Sequence, residues 1–279
     1  MIQFSRDEML RLTAAWDGDR FDDGRPRVPD ATLERLRNLT AEHAWHVLDE
    51  NGYPYQYVGG WLSTQEHTLV GRAVTSQYLP IRPDYDHAVE QIGRERGFTE
   101  GSLQNTWVVD SLVDGDVMVA DIFGKVIEGT VVGDNLGAAV AGRTKAGAVI
   151  DGGVRDLVGL RRLTSANFYY RAADPTPIRN VTLAGMNIPV RVGLTTVLPG
   201  DVVFGTESGV TFIPPHLAEE VARQGETISD RDQFAKQRIA EGRYTAGEID
   251  LPVWADHIEE DYREWAKARA ADGVATREE

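Results

Sequence analysis

The chain has 279 residues, enough for one large domain or two small ones, and its 42% hydrophobic content suffices for a core and argues against disorder. A net charge of -15 and a pI near 4.8 exclude general electrostatic binding of nucleic acid, which needs an excess of Lys and Arg. The absence of cysteine excludes disulfides, thiolate metal sites and cysteine nucleophiles, so a metal must be held by oxygen or imidazole and hard cations such as Mg²⁺ or Mn²⁺ are the natural candidates.

The N-terminal stretch is polar and acidic, with no basic segment leading into an apolar run, and nothing in the sequence approaches the roughly 18 apolar residues of a membrane span. A cytoplasmic, soluble protein without membrane contact is expected. Ser5-Arg6-Asp7-Glu8 has the form of a capping box and predicts a helix through Ala15. The loop that follows crowds Asp17, Asp19, Asp22 and Asp23 but lacks calcium-loop spacing: Phe21, Asp22 and Val28 stand where an EF-hand needs an oxygen ligand, a glycine and a glutamate. It reads as a solvated acidic loop.

Helices are expected over residues 31–39 and 41–51, the second stopped by Gly52. The apolar run 69–79 opens a strand-rich centre. Residues 117–123 and 126–133 read as strands joined by a tight turn at Gly124-Lys125, residues 135–146 as a helix and 147–153 as a strand. Strand, helix, strand implies a crossover with a parallel pair. Beyond it come a short helix (157–163), a strand (167–172) and several short β-segments over 188–215, punctuated by Pro199-Gly200 and Ser208-Gly209. The chain turns helical and amphipathic after Pro215, and its tail is a charged helix carrying Trp254, Tyr262 and Trp265. The pattern is an α/β domain with a β-rich half.

Two glycine-flanked acidic turns bracket the crossover, Gly133-Asp134-Asn135 and Gly153-Val154-Arg155-Asp156. The first precedes a helix whose free N–H groups and positive dipole end suit a small carboxylate. The second places Arg155 and Asp156 at the C-terminal end of a strand, where open α/β sheets bind ligands. An arginine fork suits a carboxylate or 2-oxo group, and an adjacent carboxylate suits a hard cation. A helix cap with a surface ion pair would leave the same residues in the same order.

Asp134, twenty intervening residues and then Arg155-Asp156, within GDNLGAAV and VIDGGVRDLVGLR, resemble the signature of the RraA-like family. LVGRAVT (69–75) and IPVRVGLTTVLPGDVVFGTESGVTFIP (188–214) extend the likeness over roughly residues 40–245. That family comprises the regulator of ribonuclease E activity A and class II pyruvate aldolases acting on 4-hydroxy-4-methyl-2-oxoglutarate and related acids. The resemblance implies a swivelling β/β/α sandwich, here with helical extensions at residues 1–39 and 246–279, assembled as a homotrimer or homohexamer with active sites between subunits.

Carried over by position, the resemblance implies that Asp156 sits at a Mg²⁺ or Mn²⁺ ion, Arg155 binds the keto and carboxylate oxygens, and Asp134 orders metal-bound water. The amides of Gly133, Asn135 and Leu136 would hold the pyruvyl carboxylate. Glu207 lies where the aldolases supply an acid across the subunit interface, although Thr206 and Ser208 stand where many relatives carry acids. The implied activity is cleavage of a 4-hydroxy-2-oxo acid to pyruvate, with oxaloacetate decarboxylation as a side activity.

Trp45 and His46 depart from the family pattern in the helix 41–51. His46 is a candidate acid/base, against the plainer reading of a structural histidine on an amphipathic helix. Gly59-Gly60-Trp61 would line a sugar-like pocket or serve as core or subunit contact. These departures keep two alternatives open: a sugar-acid dehydratase using the same metal site, and a non-enzymatic regulator of a ribonuclease.

Overall fold

Adjacent residues of the central strands point into two different cores. Val117, Val119 and Val149 pack on one face of the sheet with Ala73, Tyr169 and Phe212, while Met118, Ala120 and Ile150 pack on the other with Val74, Trp107 and Phe168. Side chains alternate across a strand, so a strand covered on both faces must read as a continuous apolar run.

The computed structural model describes residues 2–98 and 102–275. Its elements in chain order are β1 (Ile2–Gln3), α1 (Arg6–Leu12), α2 (Asp30–Leu36), α3 (Ala41–Glu50), β2 (Tyr57–Val58), β3 (Leu62–Ser63), β4 (Leu69–Pro80), α4 (Pro83–Glu95), α5 (Gln104–Ser111), β5 (Asp116–Asp121), β6 (Thr130–Val132) and α6 (Asp134–Thr144). They continue with β7 (Gly147–Val154), α7 (Leu157–Leu160), β8 (Asn167–Ala173), β9 (Val181–Met186), β10 (Val190–Val192), β11 (Thr195–Val197), β12 (Val202–Gly205), β13 (Val210–Ile213), α8 (Ala218–Ala240), α9 (Ala246–Ile249) and α10 (Asp256–Ala275).

The main sheet runs β2-β13-β12-β4-β5-β7-β8-β3, with β9 also on β4, β1 on β9 and β6 on β7. Its centre, β4-β5-β7-β8, is parallel, and antiparallel strands flank it on both sides. The expected capping box closes α1: Glu8 N–H donates to Ser5 Oγ at 3.3 Å and Ser5 N–H to Glu8 Oε2 at 2.8 Å. The helix nevertheless stops at Leu12, three residues short of expectation. Among the described residues no helix is long and apolar enough to cross a membrane.

Two expectations need correction. Residues 117–123 and 126–133 do not form a hairpin: β5 and β6 each pair in parallel with β7 and not with one another. Phe123, Gly124 and Glu128 all have positive φ, so residues 122–129 coil through successive turns where a strand would need extended backbone. The stretch between β4 and β5 contains α4 and α5, neither of which is among the expected elements. In α4, Tyr85, Ala88, Val89 and Ile92 recur at helical spacing behind Pro83, and Val89 and Tyr85 pack into the core.

The chain forms two compact units, Met1–Ala222 and Arg223–Glu279. The first thus includes the segment 1–39, and the expected boundary at 245/246 lies inside the second. In the second unit Trp254, Tyr262 and Trp265 surround Phe234, at ring-centroid distances of 5.5, 5.5 and 5.8 Å. These tail aromatics form that unit's own core.

Candidate functional site

The crossover brings the two acidic turns side by side. Val132 of β6 pairs with Val154 of β7, and Arg155 N–H donates to Val132 O at 3.1 Å. Two adjacent parallel strands therefore end together, one leading through Gly133 into α6 and the other through Arg155 and Asp156 into α7. Gly133 is the N-cap of α6 and Asp156 the N-cap of α7.

Gly133 leaves space for the two charged side chains beside it. A Cβ at this position would lie 2.5 Å from Asp156 Oδ2 and 2.9 Å from Arg155 Nε. Gly159 makes room in the same way inside α7, where a Cβ would lie 2.5 Å from the Cβ of Asp134. These two glycines leave room for Arg155 and Asp156 beside the start of α6 and for Asp134 beside α7.

Arg155 Nε and Asp156 Oδ2 are 3.4 Å apart, with the two side chains 40% and 45% exposed, so both retain hydrogen-bonding capacity toward solvent or ligand. Asp156 adopts the left-handed conformation (φ 54°, ψ 40°), a strained geometry that aspartate tolerates better than most residues. The first amide of α6 with an intrahelical acceptor is that of Gly137, donating to Gly133 O at 2.8 Å. The preceding amides, including those of Asn135 and Leu136, face outward as at any helix start. A small cavity of about 50 Å³ touches Gly133, Asn135, Leu136 and Arg155.

The donor set suits a hard cation. Two carboxylates beside a glycine cradle offer oxygen ligands and leave the remaining positions to water or substrate. Among the described residues no group of three or more His, Asp or Glu is placed to hold a metal, so within one chain the set stops at Asp134 and Asp156. Glu207 lies at the exposed tip of the β12–β13 hairpin, in a turn closed by Thr206 and Gly209. No hydrogen bond or ion pair joins it to Asp156 or Arg155 among the described residues.

His46 lies on the solvent face of α3, its Nε2 3.4 Å from Glu50 Oε1 and its side chain 53% exposed. His43 is buried and completes the N-terminal cap of α3 with Thr40. The aromatic loop is committed to the fold: the Arg171 guanidinium lies 3.6 Å over the Trp61 ring, pairs with Asp151 at 2.7 Å and donates to the carbonyls of Gly59 and Gly60. In the acidic loop, Asp23 pairs with buried Arg25 at 2.7 Å.

Two residues near the site are not legible in the sequence. Gly159 has a locally silent role, since its contact with Asp134 spans a crossover. Asn105, buried in α5, donates from Nδ2 to Val131 O at 2.7 Å and so holds the strand that delivers Gly133. It belongs to a helix with no legible pattern.

Two solved structures share this architecture. One is an uncharacterized protein from Pseudomonas syringae pv. tomato, with a TM-score of 0.66 and 22% identity over 83% of this chain and 97% of that one. The other is Streptomyces coelicolor RraAS2, described as an unusual member of the RNase ES inhibitor RraA protein family, with a TM-score of 0.65 and 23% identity over 77% and 98%. At such identities the likeness is one of fold: the α/β sandwich of the RraA-like type.

The family model described as RraA-like, Aldolase/RraA, matches residues 44–212, and the chain belongs to this RraA-like family. The family includes both aldolases and RraA regulators. Protein DlpA of Legionella pneumophila is 27% identical over 75% of this chain, which spans only 32% of that protein's length. A Halalkalibacterium halodurans protein named "Putative 4-hydroxy-4-methyl-2-oxoglutarate aldolase" is 26% identical over 54% of this chain and 72% of its own.

Proposed function

We propose that the protein is a divalent-metal-dependent lyase that cleaves a 4-hydroxy-2-oxo acid to pyruvate, with oxaloacetate decarboxylation as a side activity. The observation that carries this reading is the convergence of Arg155 and Asp156 on Gly133, where a Cβ would lie within 3 Å of both side chains.

In this reading the outward amides of Asn135 and Leu136 receive the substrate carboxylate. Arg155 donates to the 2-oxo and carboxylate oxygens and stabilises the negative charge that develops on the 2-oxo oxygen as the C3–C4 bond breaks. The C4 hydroxyl gives up its proton as the new carbonyl forms, and C3 gains one to complete pyruvate. Asp156 would hold the Mg²⁺ or Mn²⁺ and Asp134 would order its bound water. When bound, that ion supplies Lewis-acid polarisation of the 2-oxo group.

Because one chain contributes only two carboxylates, we assign the third acid to Glu207 of a neighbouring subunit in a homotrimer or homohexamer. His46 is assigned to proton transfer at the same interface. The dehydratase alternative draws on Trp45-His46 and on the aromatic loop, and the engagement of Trp61, Gly59 and Gly60 by Arg171 gives that loop a structural role as well.

The test is pyruvate release from oxaloacetate and a panel of 4-hydroxy-2-oxo acids, coupled to lactate dehydrogenase, with Mg²⁺ or with EDTA, for wild type and Asp156→Ala. Metal-dependent release that is lost in the variant supports the lyase. No release from any substrate with metal present sinks it and moves the weight to ribonuclease regulation, which predicts stable association with a nuclease.

A further inference from the structure

A second cavity in the first unit, about 320 Å³ in volume, shares no residue with the site around Gly133 and Asp156. Leu12, Thr13, Ala15 and Trp16 form one wall and the Leu198, Pro214 and Pro215 side the other, with Tyr53 and His216 also lining it. It is far larger than the roughly 30 Å³ that one water occupies.

Its polar lining includes Asp201, Gln56, Thr196, Tyr53 and His216. Asp201 is 3% exposed, and its Oδ2 accepts from Leu198 N–H at 2.7 Å, which completes the Pro199-Gly200 turn. Its Oδ1 has no partner among the described residues. Gln56 Oε1 is buried without a hydrogen bond. Thr13 cannot serve either group, because its hydroxyl donates to Met9 O at 2.8 Å. The same hydroxyl accepts from Arg20 at 2.7 Å. No Lys or Arg lines the cavity.

Buried acceptors without donors are costly, and a carboxylate more so than an amide. A turn alone explains Oδ2 and leaves Oδ1 and Gln56 Oε1 unaccounted for. The missing component is a group rich in N–H donors, positively charged to match Asp201, on a carbon body that fits apolar walls and an indole face.

We propose that this cavity is a binding site for a small organic primary ammonium ion, whose N–H groups donate to Asp201 Oδ1 and Gln56 Oε1 while its carbon body lies against Trp16 and Leu198. The proposal is independent of the lyase reading.

The probe is benzylamine, with benzyl alcohol as its neutral comparator, titrated calorimetrically into the full chain at about pH 8. Asp201→Asn retains an acceptor for Leu198 N–H and removes the charge. Gln56→Met removes the second acceptor while the Gln56 carbonyl keeps its bond from Phe212 N–H. One benzylamine per chain is expected, with affinity falling about tenfold or more in Asp201→Asn, and by a smaller factor in Gln56→Met. Benzyl alcohol is expected to bind at least about tenfold more weakly than the amine. Absence of benzylamine binding to wild type, equal affinity for alcohol and amine, or unchanged affinity in folded Asp201→Asn would each overturn the proposal.

Discussion

Two arginine–aspartate pairs in the first unit use the same chemical groups to opposite ends. Arg25 sits between Asp23 at 2.7 Å and Asp116 at 3.0 Å, with its own side chain 4% exposed and that of Asp116 fully buried. It also lies over the Phe21 ring, 4.7 Å from the centroid. Arg155 meets Asp156 at 3.4 Å with both side chains well exposed. The buried pair has committed its donors and acceptors to the fold, so each partner depends on the other for neutralisation. The surface pair holds little of the structure in place and leaves its groups open to solvent. What separates the two is desolvation, because the same ion pair is worth little in water and is costly to break in the interior.

The largest effect should come from breaking the buried pair. Burial raises the Asp116 carboxyl pKa, and Arg25 offsets some of that rise. Arg25→Ala leaves a buried acid without its counter-charge and should cost about 3–5 kcal/mol in urea unfolding. A loss below about 1 kcal/mol would erase the distinction between the pairs.

Arg155→Ala is the converse. Unfolding free energy should change by about 1 kcal/mol or less, while pyruvate release should fall on the order of 10²–10³-fold, as when a charge-stabilising donor is removed. Gly133→Ala tests the same point without touching a charged group. The new methyl must push Asp156 and Arg155 aside, and a displacement of this size should reduce release about 10–100-fold while circular dichroism remains unchanged.

Asp201 extends the contrast to a carboxylate with no arginine. Burial raises its pKa to about 7, against the opposing pull of the Leu198 amide, from an unfolded value of about 3.9. The folded state therefore favours the protonated acid. Its contribution is fully present below about pH 4 and is lost as pH rises through about 7. Tyr53 and His216 share the cavity wall, and Leu198 and Pro214 are its uncharged neighbours. Asp201→Asn should melt with a flatter pH profile than wild type between about pH 5 and 8, and at a higher relative temperature at the alkaline end.

The smallest effect on stability is expected for His46→Ala, within about 0.5 kcal/mol, since its contact with Glu50 is exposed. A fall in pyruvate release at unchanged stability would support its proposed role at a neighbouring subunit's site. Unchanged release would restrict it to a solvent-facing helix position.

Much of the fold was legible where a local rule suffices. The capping box at Ser5, the stop at Gly52 and the helix α6 all rest on contacts a few residues apart. Helix α4 was legible too, through Tyr85, Ala88, Val89 and Ile92 at helical spacing, whereas α5 buries Asn105, Trp107, Val108 and Val109 almost consecutively, so no single face stands out and packing decides it. At Gly124-Lys125 the residues do favour a turn, but which strands pair depends on β7, whose first residue lies more than twenty positions further on.

The candidate site divides in the same way. The residue types at Gly133, Asp134, Arg155 and Asp156, the lack of cysteine, and the acidic balance follow from the sequence alone, and they limit the chemistry to oxygen ligands, an arginine fork and a helix start. Only the tertiary structure decided that β6 and β7 end side by side, that Gly133 leaves room for Arg155 and Asp156 and Gly159 for Asp134, and that Trp61 is held by Arg171. It also decided that Asp201 retains an unpartnered oxygen inside a cavity. Local periodicity and turn chemistry act over one or two turns of chain, whereas convergence and desolvation depend on which distant surfaces meet.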